Sequence, residues 1–225
     1  MMRIARRIVA LALGTAGTLL AGAAPAGVLD RVPERPDSRA SYLIYLHGRI
    51  IEEEGVRPTS PRYGIYEYRK ILEELAQRGF TVVSEQRPKD TDPVAYSAKV
   101  VGQVNALVAA GVPERQIAVV GFSKGALIAL LAAAKLHHPG VRVVSLAGCG
   151  DWIIGRYQLD FSGPVYSFYD AADDLASSCR KVFAASKTPF EHHETELHVG
   201  QGHGTFFRPN PAWLDPVTAW LAARR

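Results

Sequence analysis

The chain has 225 residues, 48% of them hydrophobic, with three Trp, nine Tyr and eight Phe, enough for one sizeable core in one domain. Its formal charge is +4, but three of its 26 basic residues (Arg3, Arg6 and Arg7) lie in an acid-free N-terminal stretch, leaving 23 against 22 acidic residues beyond it. A nearly neutral body argues against nucleic-acid binding and against attachment to a membrane surface by bulk charge.

In chain order, residues 1–26 read as a secretory signal peptide. Met1 to Arg7 is a basic segment and Ile8 to Leu20 an apolar one, and Ala21-Gly22-Ala23 and Ala24-Pro25-Ala26 are candidate cleavage sites. The apolar run is short for a membrane span and interrupted by Gly and Thr. The expectation is therefore cleavage, a mature start near Gly27, a secreted or periplasmic location and no stable membrane anchoring. Residues 27–40 are expected to form an irregular, charged lead-in, and 41–225 the folded domain.

Tyr42 to Leu46 is expected to be a strand, ending at His47-Gly48, and Arg49 to Tyr63 a long polar loop. Tyr66 to Arg78 carries Ile71, Leu72 and Leu75 at helical spacing, and Gly79 stops it. A strand over Phe80–Ser84 and a helix over Val94–Ala110 follow. Next come the strand leading to Ser123 and the helix after it, and then strands over Val141–Leu146, Val165–Tyr169 and Glu194–His198. A helix from Pro211 to Ala223 closes the chain. Strands apolar on both faces, alternating with helices, predict an α/β fold: a mainly parallel sheet of about six strands with helices on both faces.

The most informative stretch is Gly121-Phe122-Ser123-Lys124-Gly125, a G-x-S-x-G motif lying between a β-branched run and an Ala/Leu-rich helix. Glycines on either side permit a sharp strand-to-helix turn that holds a serine at the mouth of the sheet. A serine hydroxyl needs an oriented base to become nucleophilic, in the chain order serine, acid, histidine. His203, set between Gly202 and Gly204 after the last strand, is the candidate base. His192, His193 and His198 are its rivals. Asp173 is the favoured acid, in the segment after the Val165–Tyr169 strand, with Asp170 and Asp174 as alternatives. The backbone N–H groups of Lys124 and Arg49 occupy the two places where an oxyanion hole is built in this chemistry. His47 reads better as a structural imidazole than as a catalytic one.

No HExxH motif, phosphate-binding loop or dinucleotide fingerprint occurs, and neither a metal nor a cofactor is expected. Cys149 and Cys179 are compatible with one disulfide in an oxidising compartment, or with two buried thiols.

Taken together, Tyr45-Leu46-His47-Gly48, the serine elbow, the Tyr169–Ala176 acid segment and Gly202-His203-Gly204 resemble the α/β-hydrolase-fold serine hydrolases. The resemblance is to their compact, capless members, the dienelactone-hydrolase and small carboxylesterase types, and to secreted bacterial ones. It implies acyl transfer to water through a serine ester, without a cofactor. Two departures from the common pattern point to a minimal form of the fold: the stretch ahead of Tyr42 is too short for the first two strands, and Leu146 to Gly163 leaves no room for a substantial lid domain.

The expected substrate is a small-molecule carboxylic ester. Amides, thioesters and peptides are the runner-up, and a non-catalytic binding protein is the rival from another class. Arg49, Glu52 to Glu54, Arg57, Glu85, Arg87 and Lys89 follow strand ends. They read either as a site for a polar ester or as a solvated rim of mutual ion pairs, the second being preferred. Tyr63, Tyr66, Trp152 and Tyr157 could wall a pocket or belong to the core.

Overall fold

The structure, a computed structural model, describes residues 27–223, so the segment read as a signal peptide lies outside the described residues. Its centre is a seven-stranded sheet in the order β1-β5-β2-β6-β7-β8-β9. The strands are β1 (Val28–Leu29), β2 (Tyr42–Leu46), β5 (Thr81–Val83), β6 (Ile117–Phe122), β7 (Arg142–Leu146), β8 (Val165–Asp170) and β9 (His192–Leu197). Every pairing in this sheet is parallel. β2, β6 and β7 are buried along their whole length, as a sheet covered on both faces requires. Buried Arg142 within β7 is accommodated because its guanidinium donates to the carbonyls of Trp220 and Leu221, at the end of the last helix.

The seventh strand is β1, which pairs Val28 with Val82 and Leu29 with Val83 inside what the sequence presents as an irregular lead-in. Two residues carry no readable periodicity; here the neighbouring strand's free edge makes the element. A second departure lies in the stretch expected to be a polar loop. It contains α1 (Arg49–Glu54) and β3 (Thr59–Ser60), which makes a small hairpin with β4 (Gly64–Ile65) just beyond it. α1 buries Ile51 and Glu52, a pattern that reads as loop because half of its burial is a charge.

Helices cover both faces. α3 (Pro93–Ala109), α4 (Lys124–Ala133) and α5 (Arg180–Ala184) contribute Val100, Val104, Ile128, Val182 and Phe183 to one core. α2 (Tyr68–Gln77) and α6 (Pro211–Ala222) contribute Ile71, Leu75, Trp213 and Val217 to the other, together with Ile51 of α1. The long helices start on local signals. The Asp92 carboxylate accepts the Ala95 N–H at 2.7 Å and the Asn210 side chain the Ala212 N–H at 2.9 Å, each just before a proline in the first turn.

The chain leaves β2 for β5 on one side, while β6 flanks β2 on the other. Ligands of open parallel sheets bind at such a switch point, beyond the carboxyl ends of the strands. His47 follows β2 there, and Ser123 follows β6.

Candidate active site

The turn after β6 is built by its glycines. A Cβ on Gly121 would lie 2.2 Å from the Gly125 carbonyl oxygen, and one on Gly125 only 2.0 Å from that of Leu46. No side chain fits either position, so α4 can begin directly against β2 and β6. Between them Ser123 adopts φ 54° and ψ −120°, a sparsely populated conformation for any residue but glycine. Its N–H is held by the Leu146 carbonyl at 2.9 Å.

His203 lies in a 3₁₀ turn over Gly202–Phe207, and its Nδ1 is 2.8 Å from Asp173 Oδ2. The Asp173 side chain is fully buried and that of His203 is 9% exposed. Asp173 Oδ1 accepts the N–H groups of Leu175 and Ala176, which fixes the carboxylate. Because a carboxylate accepts, Nδ1 is the nitrogen that carries the proton in this bond. Gly202, at φ 55°, lets the two loops meet, since a Cβ there would lie 2.8 Å from the Ala172 carbonyl. The imidazole packs against Phe122, with ring centroids 4.9 Å apart.

The other two acids do different work. Asp170 is buried and accepts from the N–H groups of Ala172, Val199 and Gly200 and from Thr205 Oγ1. It thereby welds the acid loop to the histidine loop. Asp174 is exposed and pairs with Arg62 at 2.8 Å. His192 and His193 lie exposed on β9 and His198 exposed just beyond it, where His193 pairs with Glu191 and His198 with Glu196.

Lys124 opens α4 and Arg49 opens α1, on adjacent strands that place Leu46 opposite Gly121. Amides at helix starts have no intrahelical acceptor. Both residues line a cavity of about 660 Å³ together with Ser123 and His203. His47 is fully buried beneath this loop. Its Nδ1 donates to the Gly48 carbonyl at 2.9 Å and its Nε2 accepts the Arg87 N–H at 2.9 Å. Burial, reinforced by the Arg87 charge, pulls its pKa down to about 3, so the ring is neutral and structural.

The sequence reading missed one cluster. Glu52 and Arg87, read there as rim charges, are buried: Arg87 Nε meets Glu52 Oε1 at 2.8 Å, and Lys124 Nζ meets Glu52 Oε2 at 2.5 Å. Elsewhere on the rim Arg49 pairs with Glu53 at 3.0 Å, and Glu85 pairs with Lys99. Tyr63, Trp152 and Tyr157 wall the cavity, while Tyr66 is fully buried in the core. Cys149 and Cys179 form a disulfide, and the chain between them carries both Trp152 of the cavity wall and the acid loop.

A family model described as Phospholipase/Carboxylesterase matches residues 80–152, the segment that holds the serine elbow. Curated proteins yield no match to the chain. Among solved structures, a Rhodococcus esterase is 14% identical, with a TM-score of 0.55 over 84% of this chain and 93% of its own. A dienelactone hydrolase from Anabaena variabilis is 18% identical, with a TM-score of 0.53 over 84% of this chain and 87% of its own. An esterase from Pyrococcus furiosus is 16% identical, with a TM-score of 0.51 over 82% and 84%. At such identities the likeness is one of fold, and the fold is that of the α/β-hydrolases.

Proposed function

On this α/β-hydrolase scaffold, we propose that the protein is a serine hydrolase that cleaves a carboxylic ester of a small substrate through an acyl-serine intermediate. The observation that carries the proposal is the buried Asp173–His203 hydrogen bond at a cavity that the strained Ser123 also lines. The partial family match and the hydrolases of like fold support the same reading.

The proposed chemistry follows from the groups present. Asp173 holds the tautomer in which His203 Nε2 bears a lone pair, and that nitrogen takes the Ser123 proton as Oγ attacks the ester carbonyl. Negative charge developing on the carbonyl oxygen is met by the amides of Lys124 and Arg49, each such donor being worth about 10²–10³ in turnover. His203 returns the proton to the departing alcohol. A water, activated by the same imidazole, then releases the acid and restores the serine. Atoms and protons balance without a cofactor.

Trp152, Tyr157, Leu127 and Tyr63 give the cavity apolar and aromatic walls, and Arg49 and Arg156 lie at its polar edge. An ester with a modest apolar part and a polar substituent suits that lining. We also propose export, on the basis of the N-terminal pattern and the Cys149–Cys179 disulfide, which an oxidising compartment would maintain.

The test is labelling of the mature chain with a fluorophosphonate, with the adduct located by peptide mass spectrometry and Ser123→Ala as the control. An adduct on Ser123, absent from the variant, is expected, with turnover of short esters exceeding that of matched thioesters and amides. A folded protein that takes no label and turns over none of them would instead be a binding protein on a hydrolase scaffold.

A further inference from the structure

The two proposed oxyanion donors open separate helices, which the paired strands β2 and β6 bring side by side with Leu46 opposite Gly121. One buried carboxylate joins them. Glu52 belongs to α1, three residues after Arg49, and its side chain is 1% exposed. Its Oε2 takes the ammonium of Lys124, the first residue of α4, at 2.5 Å, and its Oε1 takes Arg87 Nε at 2.8 Å. Arg87 in turn grips the far side of the same loop. Its Nη2 donates to the His47 carbonyl and its backbone N–H to His47 Nε2, while His47 Nδ1 donates to the Gly48 carbonyl. The neighbouring Gln86 Nε2 reaches the Ile51 carbonyl at 3.2 Å.

A carboxylate is placed in a protein interior only at a large desolvation cost, offset here by two cations with fixed geometry. A hydrophobic residue would have served packing alone. Resting on the acyl-transfer reading above, we infer that Glu52 is a positioning residue: it locks the start of α1 against the start of α4, so that the Arg49 and Lys124 amides converge on one oxygen. Glu52 does not touch substrate. It acts through backbone donors, whose value depends on their being in place before charge develops.

Position can be separated from charge. With two cations around one carboxylate, Glu52→Gln makes the cluster more positive, which by field alone would favour an oxyanion. Lys124→Met makes it less positive, leaves the Lys124 amide in place and keeps the Glu52–Arg87 pair. Positioning requires both variants to be slow.

The experiment compares the two variants with the parent chain on a p-nitrophenyl ester, and measures inhibition by a trifluoromethyl ketone, which forms a tetrahedral oxyanion on the serine. Rates are normalised by fluorophosphonate titration of Ser123. Both variants are expected to lose about 10–100-fold in kcat with KM within about twofold, and to lose ketone affinity in step with kcat/KM. Glu114→Gln is the control for a merely structural acid. Glu114 pairs with His138 and the Gly140 N–H before β6, at the opposite end of the sheet. That variant is expected to lower Tm and leave normalised kcat and ketone affinity unchanged.

Glu52→Gln at full normalised speed, or faster, would overturn the positioning role. If Glu52→Gln does not fold, Lys124→Met decides alone: unchanged kcat and ketone affinity overturn the inference, and loss of both supports it. A parent chain that neither labels nor turns over removes the acyl-transfer reading and this role with it. A parent that labels normally beside a fully active Glu52→Gln removes only the inference.

Discussion

Asp173 and Asp174 are adjacent in the chain, yet one side chain is fully buried against His203 and the other is 56% exposed, paired with Arg62. The loop turns between them, and Asp173 uses its second oxygen to accept two backbone N–H groups. An amide at Asp173 would present an N–H or a fixed carbonyl where an anion now selects the histidine tautomer. Asp173→Asn is expected to cut kcat by about 10³–10⁴-fold, as loss of the orienting acid does in such triads. Asp174→Asn removes a surface ion pair and is expected to change kcat less than about threefold. Steady-state kinetics on a chromogenic ester decides it, and the reverse ranking would reassign the acid.

Asp170 should be felt in stability before catalysis. Burial alone would raise its pKa, but the backbone N–H of Ala172, the Thr205 hydroxyl and further backbone donors outweigh it and hold the carboxyl below its usual range. A depressed folded pKa contributes stability above the unfolded value of about 3.9 and loses it as the pH falls through the folded value. Asp170→Asn is therefore expected to be less stable than the parent by roughly 2–4 kcal/mol at pH 7, with the gap narrowing below about pH 4. Urea unfolding of both proteins across that range would show it, and a gap independent of pH would contradict it.

The disulfide ties Cys149, after β7, to Cys179, at the start of α5, with Cα atoms 5.1 Å apart and a sequence separation of 30. Closing a loop of that length stabilises a fold by about 2–4 kcal/mol. Cys149→Ser with Cys179→Ser is expected to lower Tm by roughly 5–15 °C. A strong reductant should shift the parent chain alike and leave the double variant where it is. A parent melting curve indifferent to complete reduction, verified by thiol titration, would show that the bridge contributes nothing.

Gly125→Ala is the smallest change that should abolish the elbow. The added methyl would sit 2.0 Å from the Leu46 carbonyl oxygen, a backbone atom within the sheet that cannot swing aside. Separation of α4 from β2 is expected to cost more than about 4 kcal/mol and to remove the serine from its position. Circular dichroism and fluorophosphonate labelling together test this: a folded, normally labelled variant would mean that the turn relaxes more easily than its packing implies.

The elbow and the alternation of helix and strand were legible in the sequence because their causes are local. Two glycines that leave room for a backbone crossing, β-branched runs buried on both faces, and an Asp or Asn ahead of a proline each act over a few residues. The six longer strands of the central sheet form where the sequence places them, whereas the two-residue β1, made by its neighbour's edge, the short β3–β4 hairpin and α1 escaped. What tertiary structure decided depends on residues far apart in the chain. Three aspartates within five residues look alike until a histidine 30 residues on selects the one it can reach. Glu52 resembles any other acid of a polar run, because Arg87 and Lys124 lie 35 and 72 residues away and only the closed sheet brings them to it. Sterics are written into neighbouring residues, whereas the partner of a buried charge is set by which strands the fold makes adjacent.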